Sequence, residues 1–599
     1  MRSLRMRVVE MGAALVTTAC SLVGQTMLPE QTVQHLPSDV CVTPDGLIGI
    51  VRSSEAGPPS SQPDGVTAWD MFSGARLTIA GASSALGLGE NQGFFMTTGP
   101  GGVPPAVHFS DLVQTTNTRA ITIGSQRSAA GQPDDTTVVD VLRLDSSFDP
   151  PVVAHLSHHT IQGTGGATGV AGHAHDVAIS PTGKIAVVNH RNWVHFFDLR
   201  FGGQIGAHNI GARPIQFPLP SGPIYDECTP DLAVDSVAIT STRAIVVTTK
   251  RDRSNPSNPT RLTVVYVFNT TANPVTLLSE IHVDSQAITD GVGAVAHDLA
   301  VTPDESTAVV TGEAVIGMID LGSPTPGLKG IFLEPLDTRT YRINQDSVEV
   351  TNKYAVVTST HLWTQPFVAL RWRVQVFDLQ STPPFALVFQ QDDPVTSTRN
   401  DPHDLTITPS GKYAALRSDM QVVLLQGLDS SPPFSWTSFS VAGTPSFAWP
   451  NTYPSDSIVS TNVAVAAIGT SIYTGTKHSA NIAFIDLTVA TPSLSQGEIV
   501  QDLKRIRAAD LALTPSGDRV VLRSSDDDGQ SVSAHDISIW SMIPPFAPTP
   551  VPVWTGGVSG NALCVDSLEM GVGSFIEIAE TRPPFANAGS GFVRVVSLQ

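Results

Sequence analysis

Eight of the chain's 16 histidines fall between positions 155 and 208: His155, His158, His159, His173, His175, His190, His195 and His208. Neutral imidazoles bind borderline divalent ions, so this stretch is a candidate site for zinc, copper or nickel. On a strand, residues two apart share a face, and His173 and His175 could chelate one ion there, with His155, His158 or His159 brought in across the Gly-rich stretch 163–172. The plainer reading is a histidine-tolerant loop, because the ligands follow no fixed-spacing motif. Asp526-Asp527-Asp528-Gly529 has the start of a calcium loop but lacks the closing glutamate, which reads better as a solvated hairpin tip.

A second pattern is positional. His175, His297 and His403 each stand directly before an aspartate, where Ser38 and Ala509 stand in two related segments. Ten such aspartates recur along the chain: Asp39, Asp111, Asp176, Asp235, Asp298, Asp346, Asp404, Asp456, Asp510 and Asp566. At one height in a ring they would form an acidic, cation-binding belt. A residue kept in every repeat is better suited to a structural duty, a carboxylate accepting backbone N–H groups of the neighbouring repeat. The three histidines would then line a solvated channel mouth as ligand-binding groups, too far apart to share one ion at Zn–N distances of about 2.0–2.1 Å. Arg52, Arg417 and Arg523 recur six positions after a turn glycine. They are candidates to bind an anion in the channel or, more plainly, to pair with the nearby aspartates.

Those residues must be positioned by a repeated unit. Each aspartate opens an apolar run, a turn and a second apolar run, at spacings of 48 to 72 residues. His175 to Leu199 is a clear specimen: strand, Ser180-Pro181-Thr182-Gly183, strand, short turn, strand ending in Asp198-Leu199. Proline presets φ for the turn and glycine relaxes its exit. Thr43-Pro44-Asp45-Gly46, Thr408-Pro409-Ser410-Gly411 and Thr514-Pro515-Ser516-Gly517 repeat it, with Thr302-Pro303-Asp304-Glu305 a variant. A proline turn such as Pro383-Pro384-Phe385 then leads to a fourth run. Four antiparallel strands that cannot bury their faces alone describe a β-propeller blade.

The segments Val177 to Leu199, Leu405 to Leu425 and Leu511 to Val521 resemble the YVTN-type blade, whose pattern is an apolar strand, Ser/Thr-Pro-Asp-Gly-Lys, a second apolar strand and a third ending in Ile-Asp. The resemblance implies a propeller and leaves activity open, since lactonase-like propellers in that wider group are enzymes and others are binding or surface proteins.

The repeats alternate. Odd ones carry the proline turn and Val or Leu after the aspartate; even ones after the second carry Asp-Ser (Ser236, Ser347, Ser457, Ser567). Two-blade units used five times would explain this. The last repeat ends after its third strand, Val593 to Leu598, and an orphan strand-like piece, Thr32 to Leu36, precedes the first aspartate. The expected fold is therefore all-β, a single ten-bladed propeller over 25–599 closed by an N-terminal strand, with two smaller propellers as the alternative.

Composition agrees. Hydrophobic residues are 41% and charged residues 15% of the chain, with 49 Gly and 45 Pro to punctuate short strands. A net charge of −20 disfavours nucleic-acid binding. Arg2, Arg5 and Arg7 followed by the apolar run 11–23 form an export-type leader, expected to span 1–24. Lipid anchoring at Cys20 is disfavoured, because leucine is missing three residues before it. No later run is long enough for a membrane helix. Cys41, Cys228 and Cys564 fit neither a disulfide framework nor a zinc ribbon. No Gly-x-Ser-x-Gly elbow, His-Glu-x-x-His or phosphate loop occurs. The sequence thus points to an exported recognition scaffold, periplasmic, surface-bound or secreted, for a protein or carbohydrate. The alternatives are a metal-assisted hydrolase of the lactonase kind, a metal-dependent oxidoreductase, and a purely structural surface protein.

Overall fold

A computed structural model describes residues 31–598 apart from 34–35, 55–65, 82–112, 128–133, 163–173, 191–192, 211–224, 230–236, 253–259, 284–295, 335–339, 364–368, 394–401, 419–420, 442–456, 469–471, 475–476, 503–505, 527–536, 557–567 and 582–589. The proposed leader, Asp111, His173, Asp235, Asp456, Cys564, Asp566 and 527–529 therefore lie outside the described residues.

Ten sheets follow one another, antiparallel throughout except that Ile79–Ala80 joins the second sheet parallel to Val152–Gln162, and the described residues contain no helix. The first strands of blades 1 to 10 are Leu36–Val42, Val113–Thr115, Ala174–Ile179, Val237–Ile239, Ala296–Val301, Thr340–Val350, Pro402–Ile407, Ile458–Ser460, Ile506–Leu513 and Leu568–Met570. Each touches the first strands of the blades before and after it, and the first of all touches the last. The chain is a single ten-bladed β-propeller, and the alternative of two smaller rings does not hold.

Closure is made by both chain ends. Gln31–Val33 pairs antiparallel with Ser590–Ser597, the third strand of blade 10, through Gln31↔Val593 and Val33↔Gly591. The closing strand is shorter than the Thr32 to Leu36 read from sequence, because Leu36 already belongs to the first strand of blade 1.

No blade has a core of its own. The buried apolar residues fall into ten clusters, and every cluster joins two adjacent blades. Val187, Val194 and Phe196 of blade 3 meet Val246, Val264 and Tyr266 of blade 4. Val40, Val51 and Trp69 of blade 1 meet Ile576, Val593 and Val595 of blade 10. Second and third strands are buried on both faces, as in the BBBBBB pattern of Thr307–Gly312, which is why they read as continuous apolar runs and not as alternation.

First-to-second and third-to-fourth connections share one end of the ring, the turn face: Met71, after the third strand of blade 1, donates its N–H to Leu47 in the first turn. Odd blades use five-residue turns such as 43–47 and 180–184, and even blades three-residue turns such as 116–118 and 240–242. In the odd turns Gly46, Gly183, Gly411 and Gly517 sit at φ +65 to +71°, and Glu305 takes that place at +59° in blade 5. Gly46 also meets its neighbour across the ring seam, where a Cβ would lie 2.3 Å from the Val572 nitrogen of blade 10. Gly46→Ala is expected to destabilise the fold by more than about 1 kcal/mol, through left-handed strain and the opened seam. The midpoint of urea unfolding measures this, and an unchanged midpoint would speak against a tight seam.

Candidate functional site

The repeated aspartates are placed by a β-bulge. In all five odd blades the register of the first strand shifts immediately before the aspartate, at Pro37/Asp39, Ala174/Asp176, Ala296/Asp298, Pro402/Asp404 and Ala508/Asp510. The extra residues of these bulges are Ser38, His175, His297, His403 and Ala509. A bulge re-aims the residue beside it, here the carboxylate, toward the next blade.

Asp39 Oδ1 accepts the N–H of Val40 at 2.8 Å and Oδ2 that of Val113 in blade 2 at 2.7 Å. Asp298 does the same with Leu299 and Val348, at 2.8 and 2.7 Å. Asp404 accepts from Leu405, Ser457 and Ile458, and Asp176 from Val237. In each case the acceptor meets the residue two places after the even blade's own aspartate. Asp346 and Asp510 lie in the first strands of blades 6 and 9.

At the turn face a second clasp joins three of these pairs. The N–H groups of Asp45, Asp304 and Ser410, each following the turn proline, donate to Asn117, Asn352 and Asn462 of the next blade at 2.7–2.9 Å. Blades 1 and 2, 5 and 6, and 7 and 8 are thus hydrogen-bonded at both ends in the same way.

Arg52, Arg417 and Arg523 are the cross-strand partners of Asp39, Asp404 and Asp510. Their side chains are 0%, 5% and 1% exposed and lie in the odd-to-even junction. Arg417 Nε donates to the Ile468 carbonyl of blade 8. Asn189 and Thr311 hold the same place in blades 3 and 5. Opposite them on the even third strands stand Asp140, Tyr266, Gln375, Ala483 and Arg594.

The junction of blades 1 and 2 gathers the most chemistry. Asp140, 1% exposed, accepts from His158 Nδ1 at 2.8 Å and His155 Nε2 at 3.3 Å, both on Oδ1. A register shift between His155 and Ser157 puts the two rings on one carboxylate. Oδ2 of Asp140 and Oγ1 of its cross-strand neighbour Thr122 are buried without a protein partner. Burial pushes the Asp140 carboxyl up, but the hydrogen bonds of His155 and His158 and the charge of Arg52 outweigh it and hold it below its ordinary value. The Asp140 bond raises His158 against the opposing effect of burial. Burial lowers Arg52, and the Asp140 charge partly restores it.

His159 points to the other side of the sheet, where its Nε2 is 2.6 Å from the Gly202 carbonyl of blade 3. The structure therefore brings His155 and His158 together and separates His159 from them. His175 and His403 are described only as strand residues, and His297 is half-buried. Among the described residues no group of three or more His, Cys, Asp or Glu is placed to hold a metal ion. Sequence reasoning missed Asp140. Its counterparts are Tyr266, Gln375, Ala483 and Arg594, so no repeat pattern marks it.

A pH dependence follows from the signs. The raised His158 contributes stability that is full below the unfolded imidazole value, about 6.5, and is lost as pH rises through the folded one. The depressed Asp140 contributes stability that is full above about 3.9 and is lost as pH falls through its folded value. Melting temperature is expected to peak between these limits. His158→Gln should flatten the alkaline shoulder, and Asp140→Ala, which removes the carboxylate facing buried Arg52, should cost about 3–5 kcal/mol. A profile of the His158 variant parallel to the parent would contradict this.

No protein-family model matches the chain, and no curated protein matches it either. Solved structures that it resembles are propellers. The Dos1 propeller aligns over 88% of this chain and 98% of its own, with 10% identity and a TM-score of 0.37. The WD40 domain of SCAP from fission yeast aligns over 84% and 94%, with 10% identity and a TM-score of 0.32. The β-propeller domain of Cps50 (Swd1) from Myceliophteria thermophila aligns over 78% and 98%, with 8% identity and a TM-score of 0.27. Similarity at this level concerns the β-propeller architecture alone.

Proposed function

We propose that this chain is an exported recognition scaffold that binds a protein or carbohydrate partner through one face of the ring. One observation carries the reading. Turns on the turn face are short and hydrogen-bonded, whereas the connections between blades enter the next blade's first strand at the opposite end and include the stretches 82–112, 211–224 and 442–457. Segments free to vary over a stapled frame are where binding residues are placed. The proline turns further support kinship with the YVTN-type propellers, among which binding proteins occur.

A second reading is favoured by the meeting of His155 and His158 on one carboxylate: a metal-assisted hydrolase of the lactonase kind or a metal-dependent oxidoreductase. Near-stoichiometric zinc, copper or nickel in chain purified without chelator, lost together with activity in a His155→Ala, His158→Ala double variant, would select it.

Replacing 82–112 and 442–457 by short Gly-Ser linkers is expected to abolish binding to immobilised glycans or to surface proteins of the producing cell, with the melting temperature unchanged. Binding that survives both replacements would sink the reading. N-terminal sequencing of the mature protein is expected to begin near residue 25, and an intact Met1 would argue against export through a cleaved leader.

A further inference from the structure

Apolar exposure on the turn face is one-sided. Among the described residues, every large apolar side chain more than half exposed lies on this face in blades 9, 10, 1, 2 and 3. Phe72, Phe148 and Phe201 are 69%, 57% and 74% exposed, and Ile543, Val551, Val553 and Val572 are 61%, 78%, 59% and 67%. The phenylalanines stand in the third-to-fourth turns of three consecutive blades. Across the ring, the corresponding turns of blades 4 to 7 carry Thr271, Gly322, Gln380 and Asp429 instead.

Basic groups accompany the aromatic half. Arg76, Arg143, Lys184 and Arg200 are exposed there; Arg200 lies 5.4 Å from the Phe201 ring centroid and its guanidinium is held by Asp198, with Nη2 2.6 Å from Oδ2. The acids between them are largely engaged in turns. Asp70 binds the Phe72 N–H and the Ser73 hydroxyl, Asp145 binds Ser147, and Asp45 accepts from Thr43 and Ser146. Asp149 is the exposed acid beside Phe148.

We propose that the turn face of blades 9, 10 and 1 to 3 is a phospholipid-binding surface: its protruding apolar side chains enter the boundary between headgroups and acyl chains, and Arg76, Arg143, Lys184 and Arg200 rest at the level of the phosphates. Two observations favour lipid over a shaped partner. The apolar side chains stand on separate turns of one face and line no groove, which suits a flat, fluid surface. In a twofold dimer of these arcs the same exposed Arg and Lys groups would meet, whereas phosphates complement them.

The test is vesicle co-sedimentation of the full chain and of the chain starting at residue 25, on phosphatidylcholine with and without phosphatidylserine. Both forms are expected to pellet with vesicles. A Phe72→Ser, Phe148→Ser, Phe201→Ser triple variant should lower partition on the order of a hundredfold, with the melting temperature unchanged. Arg143→Gln with Arg200→Gln should remove any advantage of phosphatidylserine, and Leu387→Ser, on the outer strand of blade 6, should change nothing. Failure of the chain from residue 25 to pellet, or pelleting of the triple variant like the parent, would overturn the proposal. A dimer that the triple variant dissociates, with vesicles left untouched, would overturn it in favour of a second copy.

Discussion

The structure depends on apolar burial that exists only between blades. A single sheet of this chain, with Val, Ile and Phe on both faces of its middle strands, has nowhere to bury either face. Each of the ten clusters supplies one interface, and each blade is stabilised from two sides. In an open stack of such blades two outer faces would stay exposed. Joining blade 10 to blade 1 removes both, so closure is part of the hydrophobic ledger and more than a geometric convenience.

Apolar contact is non-directional and does not set blade angle or height. Directionality comes from the polar groups at the odd-to-even junctions. A carboxylate held by a bulge reaches the backbone of the next blade, and a turn N–H reaches an asparagine at the other end. These bonds fix two blades as a unit. Guanidiniums at Arg52, Arg417 and Arg523 are buried in the same junctions, where their desolvation has to be offset by nearby acceptors. That arrangement explains why Asp39, Asp176 and Asp298, like Arg52, Arg417 and Arg523, are buried inside the frame.

The architecture was largely legible in the sequence because its signals are periodic. The aspartate register, the proline-glycine turns and the odd-even alternation each repeat, and repetition separates pattern from noise. The missing fourth strand of the last repeat foretold the N-terminal strand, although its boundary was misplaced by the adjoining first strand of blade 1. The junction chemistry was less legible. His155 and His158 were visible as residues, but their partner Asp140 lies on another strand and owes its place to a cross-strand register that no single run of sequence encodes. The histidines before the aspartates are the extra residues of bulges, a placement that depends on strand register and is not visible in the sequence. The one-sided apolar arc is scattered through the chain at Phe72, Phe148, Phe201, Ile543, Val551, Val553 and Val572, and only the ring brings those turns to one side.

The seam between the chain ends sets an order of assembly. Gln31–Val33 can find its partner only after Ser590–Ser597 has been made, at the opposite extreme of the sequence. Blades 2 to 9 can accrete one upon the next through local contacts as the chain emerges. The seam is the contact of greatest sequence separation, and its loop-closure cost is met last. Until then the edge of blade 10's third strand and the inner faces of blades 1 and 10 stay open to pairing with another chain. A protein built this way is vulnerable until that strand is made, and truncation before Ser590–Ser597 would leave a nearly closed ring with a sticky gap.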